Sequence, residues 1–337
     1  MRVITHMGFQ RLFLFIIFEI KIINLNTYYK IFLFQLLLIL LFSQVLKSQQ
    51  SSIIFSKVNF SIHNPAFTGV EGASLIINSR LQWTGIDQAP RTNYLLYHLP
   101  QRKNVLLGVS AINDRVFIEN KTYLTLDYNY KLQIDQEKSI FLGIKAGGLY
   151  NNIDTDKIPR IFNEANPLLS AVESYFNPII GVGFTMIAPN FFIGLGTPNL
   201  FNSKRFKQIE ELEPSAQDLT LYHLTGGLKF TLNSKLSLNP SIIYRSISDS
   251  PNFISGNISF SYDEKFSIGT GVSNNDNLSV FFNSEGKNGF QWGYGYEFLN
   301  GSAAEAIKSP THEIFLKINL DNKEDSEQNE SEIKDEN

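Results

Sequence analysis

The chain has 337 residues, enough for one large barrel or two ordinary domains. A net charge of −3 gives no global basic field for nucleic acid, and the lack of cysteine removes disulfides, thiolate metal sites and a cysteine nucleophile together. The hydrophobic fraction of 43% does not mark a membrane protein, but 28 Phe and 14 Tyr suit apolar bands and interfacial girdles. A β-rich soluble chain with inflated Phe, Ile, Asn, Lys and Tyr is the competing reading.

Two apolar runs open the chain, Leu12 to Ile17 and Ile31 to Phe42. Lys30 precedes the second run, and small and polar residues follow it from Ser43 to Gln49. That layout predicts a secretory signal cut near Ser48, because the apolar core falls short of the ~20 residues of a spanning helix. Residues 1–23 read as an overcalled start, with a pair of inner-membrane helices as the alternative. Residues 49–73 then form a periplasmic N-terminal segment or plug.

Within that segment Asn64-Pro65 and Gly69 bracket a tight reversal, since Pro fixes φ and Gly tolerates a positive one. A first strand is expected over 74–83. Leu75, Ile77, Leu81 and Trp83 share one face there, and Asn78, Arg80 and Gln82 the other. Apolar residues outside and polar ones inside are the pattern of a membrane barrel.

Thirteen more strands are expected at 91–99, 104–114, 120–131, 138–150, 174–187, 191–198, 218–230, 235–245, 251–261, 265–273, 277–285, 289–298 and 311–320. Alternation is cleanest around Leu124, Leu126, Tyr128 and Tyr130, and around Phe290, Trp292, Tyr294, Tyr296 and Phe298. Even-numbered gaps are short, while the long gaps 151–173, 199–217 and 299–310 fall at odd positions. Barrels with short periplasmic turns and long outer loops sort their gaps in this way, which puts both chain ends in the periplasm. Pro178 and Pro240 lie inside proposed strands and predict a bulge or an end there. The fold class is therefore all-β: a transmembrane antiparallel barrel of about fourteen strands over residues 74–320. Residues 321–337 carry eight carboxylates against two lysines and read as a solvated acidic tail.

The five histidines do not fall at metal-ligand spacings, and no nucleophile elbow or phosphate loop appears. A barrel phospholipase could recruit His98 or His223, but a rim histidine without catalytic work is the simpler reading. Glycines such as Gly143 to Gly148 and Gly226-Gly227 lie within strands, where they relieve crowding or mark bulges. No catalytic residue, cofactor or metal site is expected.

An ordered series of short motifs carries a resemblance. It begins with Asn64-Pro65-Ala66-Phe67-Thr68-Gly69, Arg80-Leu81-Gln82-Trp83 and Ala89-Pro90-Arg91-Thr92. It continues through Leu107-Gly108-Val109, Asn113-Asp114, Tyr128-Asn129-Tyr130 and Leu142 to Gly147. The last pieces are Phe192 to Leu200 with Pro198-Asn199, Leu238 to Ser241, Gly293 to Tyr296 and His312-Glu313-Ile314. Over residues 53–320 the chain resembles the PorP/SprF family of Bacteroidetes outer-membrane proteins. Arg115-Val116-Phe117 stand where the family often has a Gly, and Glu297 where it often has Asp.

The resemblance implies a fourteen-stranded barrel working with the type IX secretion system. It implies as partners the outer-membrane lipid, a secreted adhesin-like protein with a type B C-terminal domain, and other secretion components. Export of that protein, or its anchoring at the cell surface during gliding motility, would be the task. Motif residues expected to matter are Asn64, Pro65, Gly69, Arg80, Gln82, Trp83, Pro90, Asn113, Asp114, Pro198, Asn199, His312 and Glu313. Arg80 and Arg91 read first as lumen charges paired with carboxylates of facing strands, and Trp83 as a girdle residue. The rival readings are a FadL-like transporter of hydrophobic compounds and a passive porin. Lumen positions rich in Asn, Gln, Thr, Asp and Lys argue mildly against the transporter.

Overall fold

The computed structural model describes residues 53–154, 174–201, 203–204, 217–218, 220–247, 251–286, 289–300 and 309–321. The predicted signal region, most of the three long loops and the tail beyond residue 321 lie outside these residues.

Fourteen strands form the wall. They are β1 (Ser74–Leu81), β2 (Arg91–His98), β3 (Val105–Val116), β4 (Glu119–Gln133) and β5 (Ser139–Ile153). Next come β6 (Tyr175–Ala188), β7 (Phe191–Thr197), β8 (Leu221–Leu228, continued by Phe230–Thr231) and β9 (Leu236–Ile247). The last five are β10 (Phe253–Tyr262), β11 (Phe266–Ser273), β12 (Asn277–Glu285), β13 (Phe290–Leu299) and β14 (Thr311–Asn319). Each strand pairs antiparallel with its sequence neighbours, and β1 closes the ring on β14 from Ser74↔Asn319 to Leu81↔His312. A closed ring leaves no strand edge unpaired, which is what a wall surrounded by lipid requires.

The alternation read from the sequence is the alternation of the wall. On β4, Leu124 and Leu126 are 60% and 63% exposed on the outer face, while Thr125, Asp127 and Asn129 between and beyond them are buried. Phe290, Trp292, Tyr294 and Phe298 likewise point outward on β13. Pro178 and Pro240 sit where the missing N–H does little harm. Pro178 pairs with Gly148 on a stretch of β6 that extends beyond β7, whose pairing begins at Val182. Pro240 faces the interruption of β8 between the pairs Gly227↔Ser241 and Phe230↔Leu238. The ladder breaks there without changing register, because proline offers the neighbouring strand no donor.

The first expected strand is too long. β1 ends at Leu81, and Trp83 enters the left-handed region with φ of 50°. Its backbone turns away towards β14, where the Trp83 and Thr84 N–H groups donate to Thr311 Oγ1 and the Pro310 carbonyl. Trp83 therefore does not continue the outward face of Leu75 and Ile77. At the opposite end the three residues Asp263 to Lys265 join β10 to β11; the Lys265 N–H donates to the Tyr262 carbonyl, and Asp263 and Glu264 inside that turn are both at positive φ, as a primed turn demands.

Candidate functional site

Residues 53–73 run inside the barrel. Two short helical turns shape the segment: α1 (Phe60–His63) and a 3₁₀ turn at Pro65–Phe67. Asn64 is extended, as a residue before proline should be, and its side chain accepts a hydrogen bond from the Ala66 N–H at 3.0 Å. Gly69 has the positive φ expected of it, 72°. The segment buries its apolar residues against inward positions of the wall. Ile62 packs on Ile76, Tyr94 and Leu96; Ile54 and Phe55 pack on Phe315; Ala66 packs on Leu106 and Phe141. These inward apolar patches correct the expectation of a uniformly polar lumen. They lie where the segment covers them, so the wall is dry there and the hydrophobic term applies, at about 1.5–3 kcal/mol per large side chain.

Polar groups fix the segment at two far-separated parts of the ring. At β14, Glu313 is fully buried and accepts from the Ile54 N–H at 2.9 Å and the Phe55 N–H at 3.2 Å. The same carboxylate accepts from Asn78 at 3.0 Å and from Arg80 at 3.1 Å, and Arg80 also pairs with Glu297. One guanidinium thus bridges two buried carboxylates from adjacent strands, as expected for a lumen charge, and Arg91 stays exposed at the start of β2.

Several strands away, Asn129 on β4 donates to the Ala66 and Thr68 carbonyls at 3.0 and 2.9 Å. Thr68 Oγ1 donates to Asp127 at 2.8 Å, and Asp127 pairs with Lys145 on β5 at 2.7 Å. Asn64 donates to the Phe184 carbonyl and to Thr185 on β6. Since β14 lies beside β1, a segment held by β14 at Ile54 and Phe55, by β4 to β6 at Asn64 to Thr68 and again by β14 at Glu71 crosses the lumen and returns.

The glycines of the wall have a reason that the sequence did not reveal. A Cβ on Gly143 would strike the Ala66 nitrogen and the Pro65 carbonyl carbon, and one on Gly183 would strike Asn64 Oδ1. On Gly194 and Gly196 it would lie 2.6 Å from Phe67 and 2.8 Å from Asn64, and on Gly108 2.5 Å from the Thr68 methyl. These glycines form the floor on which Asn64 to Thr68 rest. The structure thereby joins Asn64, Pro65, Gly69, Arg80 and Glu313 with Asp127, Asn129 and Lys145, which sequence reasoning missed as contacts. Gln82 and Trp83 border an open cavity at the loop end with Asn277, Glu297 and Thr311. Pro90, Asn113, Asp114, Pro198 and Asn199 sit at loop-end strand termini, with Asp114 accepting from Thr92 at 2.7 Å. His312 lies apart from the lumen groups, hydrogen-bonded to Tyr294 at 2.7 Å.

Two groups on the segment itself, Glu71 and His63, titrate away from their ordinary ranges. Burial pushes the Glu71 carboxyl up, but Lys57 and Lys317 outweigh it and hold it down at about 2. Lys317 reaches Glu71 at 2.7 Å, so this tie to β14 persists through ordinary acid conditions. His63 stacks on His223 of β8 with ring centroids 4.9 Å apart, and Arg245 of β9 is the next cation. Burial, then His223, Arg245 and Lys145, hold the His63 imidazole well below its ordinary range. A released His63 takes a proton near pH 6.5 and the seated one does not, so the hold is complete above that pH and weakens below it. Protease sensitivity of residues 53–73 is expected to rise from pH 7.5 to pH 5, and to rise less in His63→Gln. An equal rise in the two proteins would contradict this.

Comparison with solved structures gives distant barrels. Omp33 of Acinetobacter baumannii is 8% identical, with 74% of this chain and 98% of that one covered and a TM-score of 0.43. A FadL homologue of Pseudomonas aeruginosa is 8% identical over 77% and 93% of the two chains, with a TM-score of 0.43. The toluene transporter TbuX of Ralstonia pickettii is 11% identical over 77% and 92%, with a TM-score of 0.41. Likenesses this remote carry no argument about what the lumen holds. Among curated proteins no sequence matches. A family model described as type IX secretion system membrane protein PorP/SprF matches residues 47–318, which take in the lumen segment and every strand but the last residue of β14. With its closed antiparallel wall and apolar outer face, this is an outer-membrane barrel, and the chain belongs to the PorP/SprF family of type IX secretion system membrane proteins.

Proposed function

We propose that this barrel assists the export or surface anchoring of a cognate secreted, adhesin-like protein that carries a type B C-terminal domain. The observation that carries the reading is the crossed lumen: residues 53–73 are seated by Glu313, Asn129 and Asn64, and behave as a plug. A plugged barrel suits an interaction protein better than a diffusion pore. In this reading both chain ends face the periplasm, the loop end meets the secreted partner, and the turn end meets other secretion components. The loop 151–173, the longest of the three long connections, lies mostly outside the described residues; it is the first candidate for partner contact.

Affinity capture of tagged protein from detergent-solubilised outer membranes, read by mass spectrometry, tests the reading. One large secreted protein with a type IX C-terminal domain is expected to copurify, and to be lost when 155–173 is deleted from an assembled barrel. Recovery of the barrel alone from cells that secrete such proteins would overturn it. Hydrocarbon uptake defects or steady ion conductance by the intact protein would then favour the FadL-like transporter or the porin.

A further inference from the structure

The wall grips residues 53–73 largely through their backbone. Glu313 accepts two successive N–H groups, Asn129 donates to two carbonyls, and Asp321 accepts from the Ala73 N–H at 3.1 Å. Between these anchors Gly143, Gly183 and Gly196 form a floor that a turn can approach closely, with the Pro65–Ala66 backbone on Gly143 and Asn64 on Gly183 and Gly196. Apolar recesses at Phe315 and at Ile76 and Leu96 take side chains on the other flank. Fixed side-chain groups that bind main-chain N–H and C=O groups, with pockets for side chains beside them, are the chemistry of a peptide receptor.

We infer that this part of the wall is an exchangeable peptide groove. Its second ligand is a segment of another polypeptide, with two consecutive N–H groups for Glu313 and a turn whose backbone can lie on the glycine floor. The chain's own plug holds the place until such a segment displaces it. Covalent linkage gives the plug a high effective concentration, so exchange requires a competitor delivered locally or a loosened plug. The inference rests on the reading that a secreted polypeptide meets this barrel.

A fluorescent synthetic peptide of residues 53–73 is the probe, and full-chain protein in detergent the receptor. Ala66→Leu loosens the plug while leaving the wall unchanged, because Ala66 is fully buried over Gly143. The pair T68C/G108C locks the plug when oxidised, since the Thr68 methyl lies 2.5 Å from where a Gly108 Cβ would be. The peptide is expected to bind Ala66→Leu at least tenfold tighter than the oxidised pair, and a scrambled peptide not to discriminate. Equal binding to the locked protein, equal binding of the scrambled peptide, or no binding to folded Ala66→Leu would overturn the groove. If Ala66→Leu does not fold by heat-modifiable migration, Asn64→Ala with Thr68→Ala loosens the same contacts and is read in the same way. Peptide exchange without capture of a secreted partner would keep the groove and sink the functional reading; capture without exchange would do the reverse.

Discussion

Arg80→Met is expected to destabilise the barrel by about 3–5 kcal/mol, the cost of breaking a buried ion pair by removing one partner. Arg80 is 1% exposed and Glu313 is 0% exposed, so the substitution takes from two buried carboxylates the guanidinium they share. Glu313 keeps the Ile54 and Phe55 N–H groups and Asn78, which blunts the loss at that residue; Glu297 loses its Arg80 partner outright. Urea titration of heat-modifiable migration in detergent measures the effect. The charges act as a unit, so R80M/E297M/E313Q is expected to recover more than half of the loss, the glutamine still accepting one backbone N–H. A single mutant within 1 kcal/mol of the parent would show that water, and not protein, satisfies these carboxylates.

That cluster also shows how far residue pattern alone reaches. Arg80 could be placed in the lumen because Asn78 and Gln82 flank it at a period of two, and a lumen cation needs a carboxylate. Period two says which face a residue takes but is silent about what stands across the lumen. Gly143 therefore reads as relief of crowding within the sheet and Gly183 and Gly196 carry no signal, when all three face Asn64 and Ala66 on another part of the chain. Ile76 and Leu96 face the same limit. Buried against Ile62, they break the simple rule of apolar outside and polar inside. Trp83 departs for a local reason: a left-handed non-glycine residue ends the strand two residues before Gly85, and period two does not register it. The motifs Asn64 to Gly69, Tyr128-Asn129-Tyr130, Leu142 to Gly147 and His312-Glu313 were legible as separate pieces. The structure shows most of them to be two sides of one contact, the segment and the wall that seats it.

Gly143→Val tests that contact most directly and carries the second large effect. The added Cβ meets backbone atoms of Pro65 and Ala66, which cannot swing aside as a side chain would. Overpacking of this kind costs about 1–3 kcal/mol even where neighbours relax, and here the free neighbour is the segment itself. The wall should therefore survive and the plug should leave. Outward residues of β5 such as Leu142 and Ile144 keep their lipid-facing positions, and the β4 and β6 ladders are unchanged. Two results are expected together: rapid cleavage of residues 53–73 by added protease, and a several-fold rise in single-channel conductance in planar bilayers. Gly256→Ala is the control, because a Cβ there meets nothing within 4 Å. If Gly143→Val folds with a protected segment and unchanged conductance, the glycine floor does not seat the plug. If the segment is released while conductance stays low, the lumen is closed by the rest of the wall, and the barrel is a receptor with no pore behind it.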